Sequence, residues 1–154
     1  MKKKSRCTLL KDPTVIQLYD KKIVLTHGDK LCTLDKNYQI YRRIIQNPWM
    51  KKLLLALPLS YRKKIAKKLR EKSSRQGPPP TTRPAYWDVV FEDVCKILLD
   101  HQANMVIHGH THQPKIKEFS LNDQAYKHII LGEWGKTGSV LRVSRDSMEL
   151  STVT

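Results

Sequence analysis

The stretch "MVIHGHTHQP", residues 105–114, sets His108, His110 and His112 at alternate positions directly after an apolar run. Three of the chain's six histidines therefore fall within five residues. A second stretch, "IVLTHGD", is built the same way and ends with His27 beside Gly28. Neutral imidazole nitrogen suits borderline divalent ions such as zinc, manganese or iron. In an extended loop alternate side chains share a side, so His110 and His112 are expected to face one pocket while Thr111 faces away. Gly109 lets the backbone bend close to an ion. The competing reading of a lone histidine is a hydrogen-bonded structural residue, and it is preferred for His101 and His128. His108 lies on the strand itself and stays open between core residue and support for the ligands.

The elements that must carry these residues follow from hydrophobic spacing. Val15 to Leu18 and Ile23 to Thr26 read as two strands joined by Tyr19-Asp20-Lys21-Lys22. A helix is expected from Asp35 through Ile45, with Asp35 able to cap it and Asn47-Pro48 ending it. After the apolar "WMKKLLLALPL", Ser60 is expected to cap a helix with Tyr61, Ile65 and Leu69 on one stripe. "SSRQGPPPTTRP", Ser73 to Pro84, holds four prolines and a glycine in twelve residues and reads as a surface loop or lid hinge. Val90, Val94, Ile97 and Leu98 recur at helical spacing before the strand that ends in the histidine loop. Further strands are expected at Lys117 to Ser120, His128 to Leu131 and Val140 to Val143, with "GEWGKTGS" as a turn. Such alternation argues for a layered α/β arrangement.

Composition narrows the class. The chain has 154 residues, 40% of them hydrophobic, which argues against disorder. The longest apolar run, Leu53 to Leu59, contains Pro58 and is far shorter than the roughly 18 residues of a membrane span. The start "MKKKSR" is basic, but Lys11, Asp12 and Pro13 break the next stretch before a hydrophobic segment can form, so secretion is not expected. Cys7, Cys32 and Cys95 form no C-x-x-C pair, which points to a reducing cytosol rather than a disulfide framework. The net charge of +15 calls for an anionic partner. Between Arg42 and Arg75 twelve Lys or Arg face the single acid Glu71, so the excess is concentrated in one segment.

"IHGHTHQP", "THGDKLCTLDKNYQIYRR", "NPWMKKLLLALPLSYRKKIAKKLR" and "LGEWGKTGSV" together resemble the UDP-2,3-diacylglucosamine pyrophosphatases of lipid A biosynthesis, calcineurin-like metallophosphoesterases of Gram-negative bacteria. The resemblance runs from about Thr8 to the C-terminus. It implies a calcineurin-like β-sandwich flanked by helices, a two-manganese centre, and hydrolysis of UDP-2,3-diacylglucosamine to UMP and 2,3-diacylglucosamine 1-phosphate. By the same resemblance His27 and His110 bind one metal and His112 the other. Asp35, Tyr38, Ser73 and His110 are implied as substrate contacts. Asp35 as a helix cap is an equal alternative, and Ser73 as plain loop is the other reading of that residue. Beyond Ser73 the family's Asn and Lys contacts are replaced by "RQGPPPTTRP", where Arg83 is a weak candidate for the replacement cation. Residues 42–84 are implied to be a basic helical lid, with Trp49, Leu53, Leu54 and Leu57 lining an acyl-chain slot and the cations meeting an acidic membrane surface. A solvated basic helix is the alternative.

The family also carries an N-terminal Asp-x-His, a metal-bridging Asp and a Gly-Asn-x-Asp. Residues 1–14 contain one acid, Asp12, with no histidine and no asparagine. The expectation is therefore one N-terminally truncated domain spanning residues 1–154, with a partial sandwich. It should bind at most one manganese ion weakly and be inactive unless a separately encoded N-terminal half is supplied. It is expected in the cytoplasm, peripheral on the inner membrane, with nucleic acid not a partner. The reading of another class is a non-catalytic basic protein that binds acidic membrane or nucleic acid through residues 42–75.

Overall fold

The computed structural model describes residues 7–74, 87–135 and 137–153. Along the chain come strands β1 (Thr14–Leu18) and β2 (Lys21–Thr26), helices α1 (Lys36–Gln46), α2 (Pro48–Ala56), α3 (Leu59–Ser74) and α4 (Phe91–Asp100), and strands β3 (Met105–His108), β4 (Lys115–Leu121), β5 (Gln124–Ile130), β6 (Gly138–Val143) and β7 (Met148–Val153). The chain divides into two compact units: Met1–Cys32 with Asp88–Thr154, and Thr33–Trp87. The second unit contains residues 42–84, expected as an insertion.

In the first unit, β1 to β5 form one mixed sheet in the order β1-β2-β3-β5-β4. The three central strands run parallel, and β1 and β4 close the edges antiparallel. Thr26 on β2 opposes His108 on β3, which opposes Ile130 on β5. The loops after all three parallel strands therefore leave the sheet at one level, where the ends of an α/β sheet gather open sites. All four residues of β3 are buried, as expected of a strand covered on both faces.

Alternation along the strands builds two cores. Val24, Val106 and Tyr126 pack with Val94 and Leu98 of α4 on one face. On the other, Ile23, Met105, Ile107 and Ile129 meet Leu141 of β6 and Met148 of β7. A helix thus covers one face and a separate two-stranded sheet the other, which is a partial sandwich flanked by a helix. Each fully buried Ile or Leu contributes about 1.5–3 kcal/mol. Where the chain leaves this unit and re-enters it, the Val90 amide donates to the Leu31 carbonyl at 2.8 Å.

Turn chemistry moves several boundaries. Tyr19, at φ 53, and Asp20 suffice to connect β1 and β2, not four residues. β4 and β5 run longer than expected because Asn122 and Asp123, at φ 50 and 59, make a two-residue hairpin turn. β7 lies outside the expected strands: "MELSTV" lacks a clean apolar alternation, and pairing with β6 supplies its order.

The second unit is helical. Asp35 caps α1 by accepting from the Tyr38 amide at 2.9 Å. Asn47 ends α1 and caps α2, its side chain accepting from the amides of Trp49 and Met50, with Pro48 in the first turn. The helix α3 begins at Leu59, so Ser60 lies inside its first turn and is not the residue before it. No described side chain of this unit is buried. Trp49 is 78% exposed, Leu53 61% and Leu55 67%. Lys52 places its Nζ 5.2 Å from the centre of the Trp49 ring.

Candidate functional site

The site grows from the C-terminal ends of the parallel strands. After β2, Asp12 anchors the first loop: its Oδ1 accepts from Thr26 Oγ1 at 2.6 Å and from the His27 amide at 3.2 Å. Gly28 then takes φ 104, a left-handed conformation, and a Cβ there would lie 2.7 Å from Nδ1 of His108. The Gly109 amide donates to the His27 carbonyl at 3.2 Å and so ties this loop to the one after β3. The rings of His27 and His110 consequently lie with centroids 5.1 Å apart, tilted by 56°. Nδ1 of His27 is 3.2 Å from Oδ1 of the buried Asp29. A carboxylate at one ring nitrogen favours the other as a ligand.

The loop after β3 is not extended. His110 and His112 both have left-handed backbones, at φ 64 and 54, and Thr111 between them is buried. Strand alternation therefore does not set the directions of the two side chains. His112 sits beside Glu133, from the loop after β5, with Nδ1 3.1 Å from Oε2. Of the three expected ligands, the structure brings His27 and His110 together and gives His112 a carboxylate neighbour.

These donors fit a divalent ion in kind, because imidazole nitrogen is a borderline ligand. They do not fit it in number. Among the described residues no three His, Cys, Asp or Glu side chains are gathered so as to hold an ion. A catalytic zinc site, for comparison, ordinarily has three protein ligands and one open position.

Beneath the loops, His108 and His128 are wholly buried and face each other, Nε2 to Nε2, at 2.6 Å. His108 Nδ1 lies 2.8 Å from the Gly109 carbonyl and donates to it. Burial pushes the His128 imidazole down to about 4, with the neighbouring His108 and Lys117 adding to the effect. Burial also lowers His108, against the bond to Gly109. His101 is a helix-end residue, its Nδ1 lying 2.9 Å from the Ile97 carbonyl.

Asp35 and Tyr38 lie at the start of α1 in the second unit. The side chain of Ser73 and the whole of Arg83, with the Pro-rich loop, lie outside the described residues. A cleft of about 360 Å³ opens at the other end of the parallel strands, between Leu98, Gln102, Asn104, Gln124 and Tyr126. It contains no histidine, and the chemistry points to the strand C-termini instead.

Residues 2–114 match the calcineurin-like phosphoesterase family. The chain belongs to that family. A UDP-2,3-diacylglucosamine hydrolase of Coxiella burnetii (strain Dugway 5J108-111) is 49% identical over 144 residues, covering 93% of this chain and 58% of that protein. The enzyme of the same description from Aeromonas hydrophila is 45% identical over 139 residues, covering 90% and 57%. One from Pseudomonas fluorescens (strain Pf0-1) is 40% identical over 152 residues, covering 97% and 59%. The chain thus spans a little under three-fifths of the length of these relatives.

In this calcineurin-like phosphoesterase, sequence reasoning misses Asp12, Asp29 and Glu133 as parts of the site, whereas His128 is the buried, hydrogen-bonded residue expected. Asp29 is visible in "THGD", two residues from His27. Glu133 comes just after the third parallel strand, but its relevance depends on β5 lying beside β3, which no local pattern states.

Proposed function

We propose that this chain forms the histidine-bearing part of a UDP-2,3-diacylglucosamine hydrolase. That enzyme splits the pyrophosphate into UMP and 2,3-diacylglucosamine 1-phosphate during lipid A biosynthesis in a Gram-negative bacterium. The observation that carries the reading is the approach of His27 and His110 to 5.1 Å from two separate strand ends, within the stretch that matches the family. The names of the relatives supply the substrate.

In this reading His27 and His110 provide two of the ligands of one manganese ion, and His112 contributes to a second. The remaining ligands come from the portion of the relatives outside the match, in the same or a second polypeptide. A divalent ion there supplies Lewis-acid activation of the phosphoryl group. The chain's own contribution is to orient the imidazoles, through Asp12 on the His27 amide and through Asp29 and Glu133 beside the rings of His27 and His112. Asp35, Tyr38, Ser73 and His110 contact the glucosamine head group and its phosphate.

The second unit meets the cytoplasmic face of the inner membrane. Exposed Trp49, Leu53 and Leu55 enter the interface, and Lys and Arg pair with anionic head groups at about 1 kcal/mol each. Among the described residues no helix is long and apolar enough to cross a membrane.

The test measures UMP release from UDP-2,3-diacylglucosamine with manganese, for the chain alone and mixed with the upstream segment of the Coxiella relative. Release in the mixture that is abolished in H27A and H110A supports the proposal; no release under either condition defeats it. Vesicle binding that weakens with salt and with K63Q/K64Q/K67Q/K68Q tests the membrane arm. Membrane or nucleic-acid binding without any hydrolysis would favour the non-catalytic alternative.

A further inference from the structure

His108 and His128 are 1% and 0% exposed, and no step of the proposed chemistry uses either ring. Their hydrogen-bonding pattern allows one reading when both are neutral. A carbonyl oxygen only accepts, so Nδ1 of His108 carries its proton and donates to Gly109. A neutral imidazole has one N–H, so Nε2 of His108 is a bare lone pair. The proton in the 2.6 Å contact must then sit on Nε2 of His128, which donates to His108. His128 Nδ1 is left as a bare acceptor, and it is buried with no hydrogen-bond partner among the described residues. The chain of donation therefore runs His128 to His108 to the Gly109 carbonyl.

That carbonyl occupies the pivot of the site. It also accepts from the Thr111 amide at 2.7 Å, closing a three-residue turn around His110. The central residue of that turn, His110, has φ 64, the strained hand of the γ-turn, which persists only where the surroundings hold it. The amide of Gly109 holds the His27 carbonyl from the other loop. The His108 ring lies directly against Gly28, whose left-handed backbone leaves no room for a Cβ.

We propose that His128, on β5, is a positioning residue: its Nε2–H satisfies the buried Nε2 of His108, whose Nδ1–H grips the Gly109 carbonyl, and it thereby holds the strained turn that presents His110. The relay itself stands on geometry alone. Its consequence for an ion at His110 rests on the function proposed above.

The experiment uses the full chain, without metal and then with manganese, in three forms: wild type, H128Q and H128L. Gln keeps a donor near the position of Nε2; Leu removes it. Nitrogen-15 NMR of the histidine rings reads the tautomers, and amide exchange reads the Thr111 bond. The expected wild-type result is a proton on Nδ1 of His108 and on Nε2 of His128. In H128L the Nε2 of His108 is left buried without its donor, the ring loses its hold on the Gly109 carbonyl, and the Thr111 amide exchanges about tenfold faster or more. Manganese-induced broadening of the His27 and His110 signals then needs about 10–100-fold more metal. H128Q restores the Thr111 exchange. A wild-type His108 protonated on Nε2 overturns the relay, and so does an H128L protein with unchanged Thr111 exchange. Should H128L fail to fold, the wild-type tautomers and the H128Q result decide. An intact relay with no manganese effect on His27 or His110 sinks the metal reading and leaves the relay standing.

Discussion

The two units of this protein use apolar residues in opposite ways. In the unit of β-strands, Ile23, Val24, Val94, Val106 and Ile129 are completely buried, and every histidine of the chain lies in it. In the helical unit no described side chain is buried, while tryptophan, leucines and many of the chain's cations face outward. Rigidity and surface chemistry are thus separated along the chain. The packed sheet can hold strained loops such as the turn at His110. The helical unit instead depends on caps and helix propensity, together with whatever its exposed face meets.

Substitutions sharpen this contrast, and the largest effect is expected in the core. Ile129→Ala should destabilise the protein by about 3–4 kcal/mol in urea unfolding, whereas Leu53→Ala should stay within about 0.5 kcal/mol. Equal losses at both positions would erase the distinction. Acid comes next. His128 stays neutral in the fold down to about 4, while in the unfolded chain it takes up a proton from about 6.5 downward. Between those values the unfolded state binds more protons, so stability falls as the pH drops through that window, by up to on the order of 3 kcal/mol. Residues 33–87 contain no histidine, so helix content in that unit should not track the same titration. In H128L the loss should flatten, measured as the unfolding midpoint from pH 7 to 4.

A smaller effect falls on the link between the loops. Gly28→Ala puts a Cβ against His108 in a left-handed backbone and should cost about 2 kcal/mol, moving the His27 resonances as well as the midpoint. The smallest is Asp35→Ala, which removes the cap of α1 and should cost about 1 kcal/mol. It should appear as fraying of the first turn by amide exchange, with the sheet untouched.

Much of the sheet is legible in the sequence because its signals are local. The apolar runs ending in His27 and His108 mark β2 and β3, and the spacing of Val94 and Leu98 marks α4. Asp35 and Asn47 announce the starts and stops of α1 and α2 by their own side chains. The hairpin at Asn122-Asp123 is local too, and a reading that passes over it shortens two strands. The strand alternation expected for His110 and His112 does not apply, because a loop with left-handed residues does not alternate like a strand.

What the residues determined without help is where chemistry can sit: imidazoles beside glycine at the ends of buried strands, and a concentrated basic segment apart from them. The tertiary structure alone decided which groups meet. Parallel pairing of β2, β3 and β5 in flush register sets His27 beside His110 and His112 beside Glu133, and it turns His108 toward His128 across the sheet. Strand order and register are fixed by burial of two faces at once, a property of the whole sheet that no single segment contains.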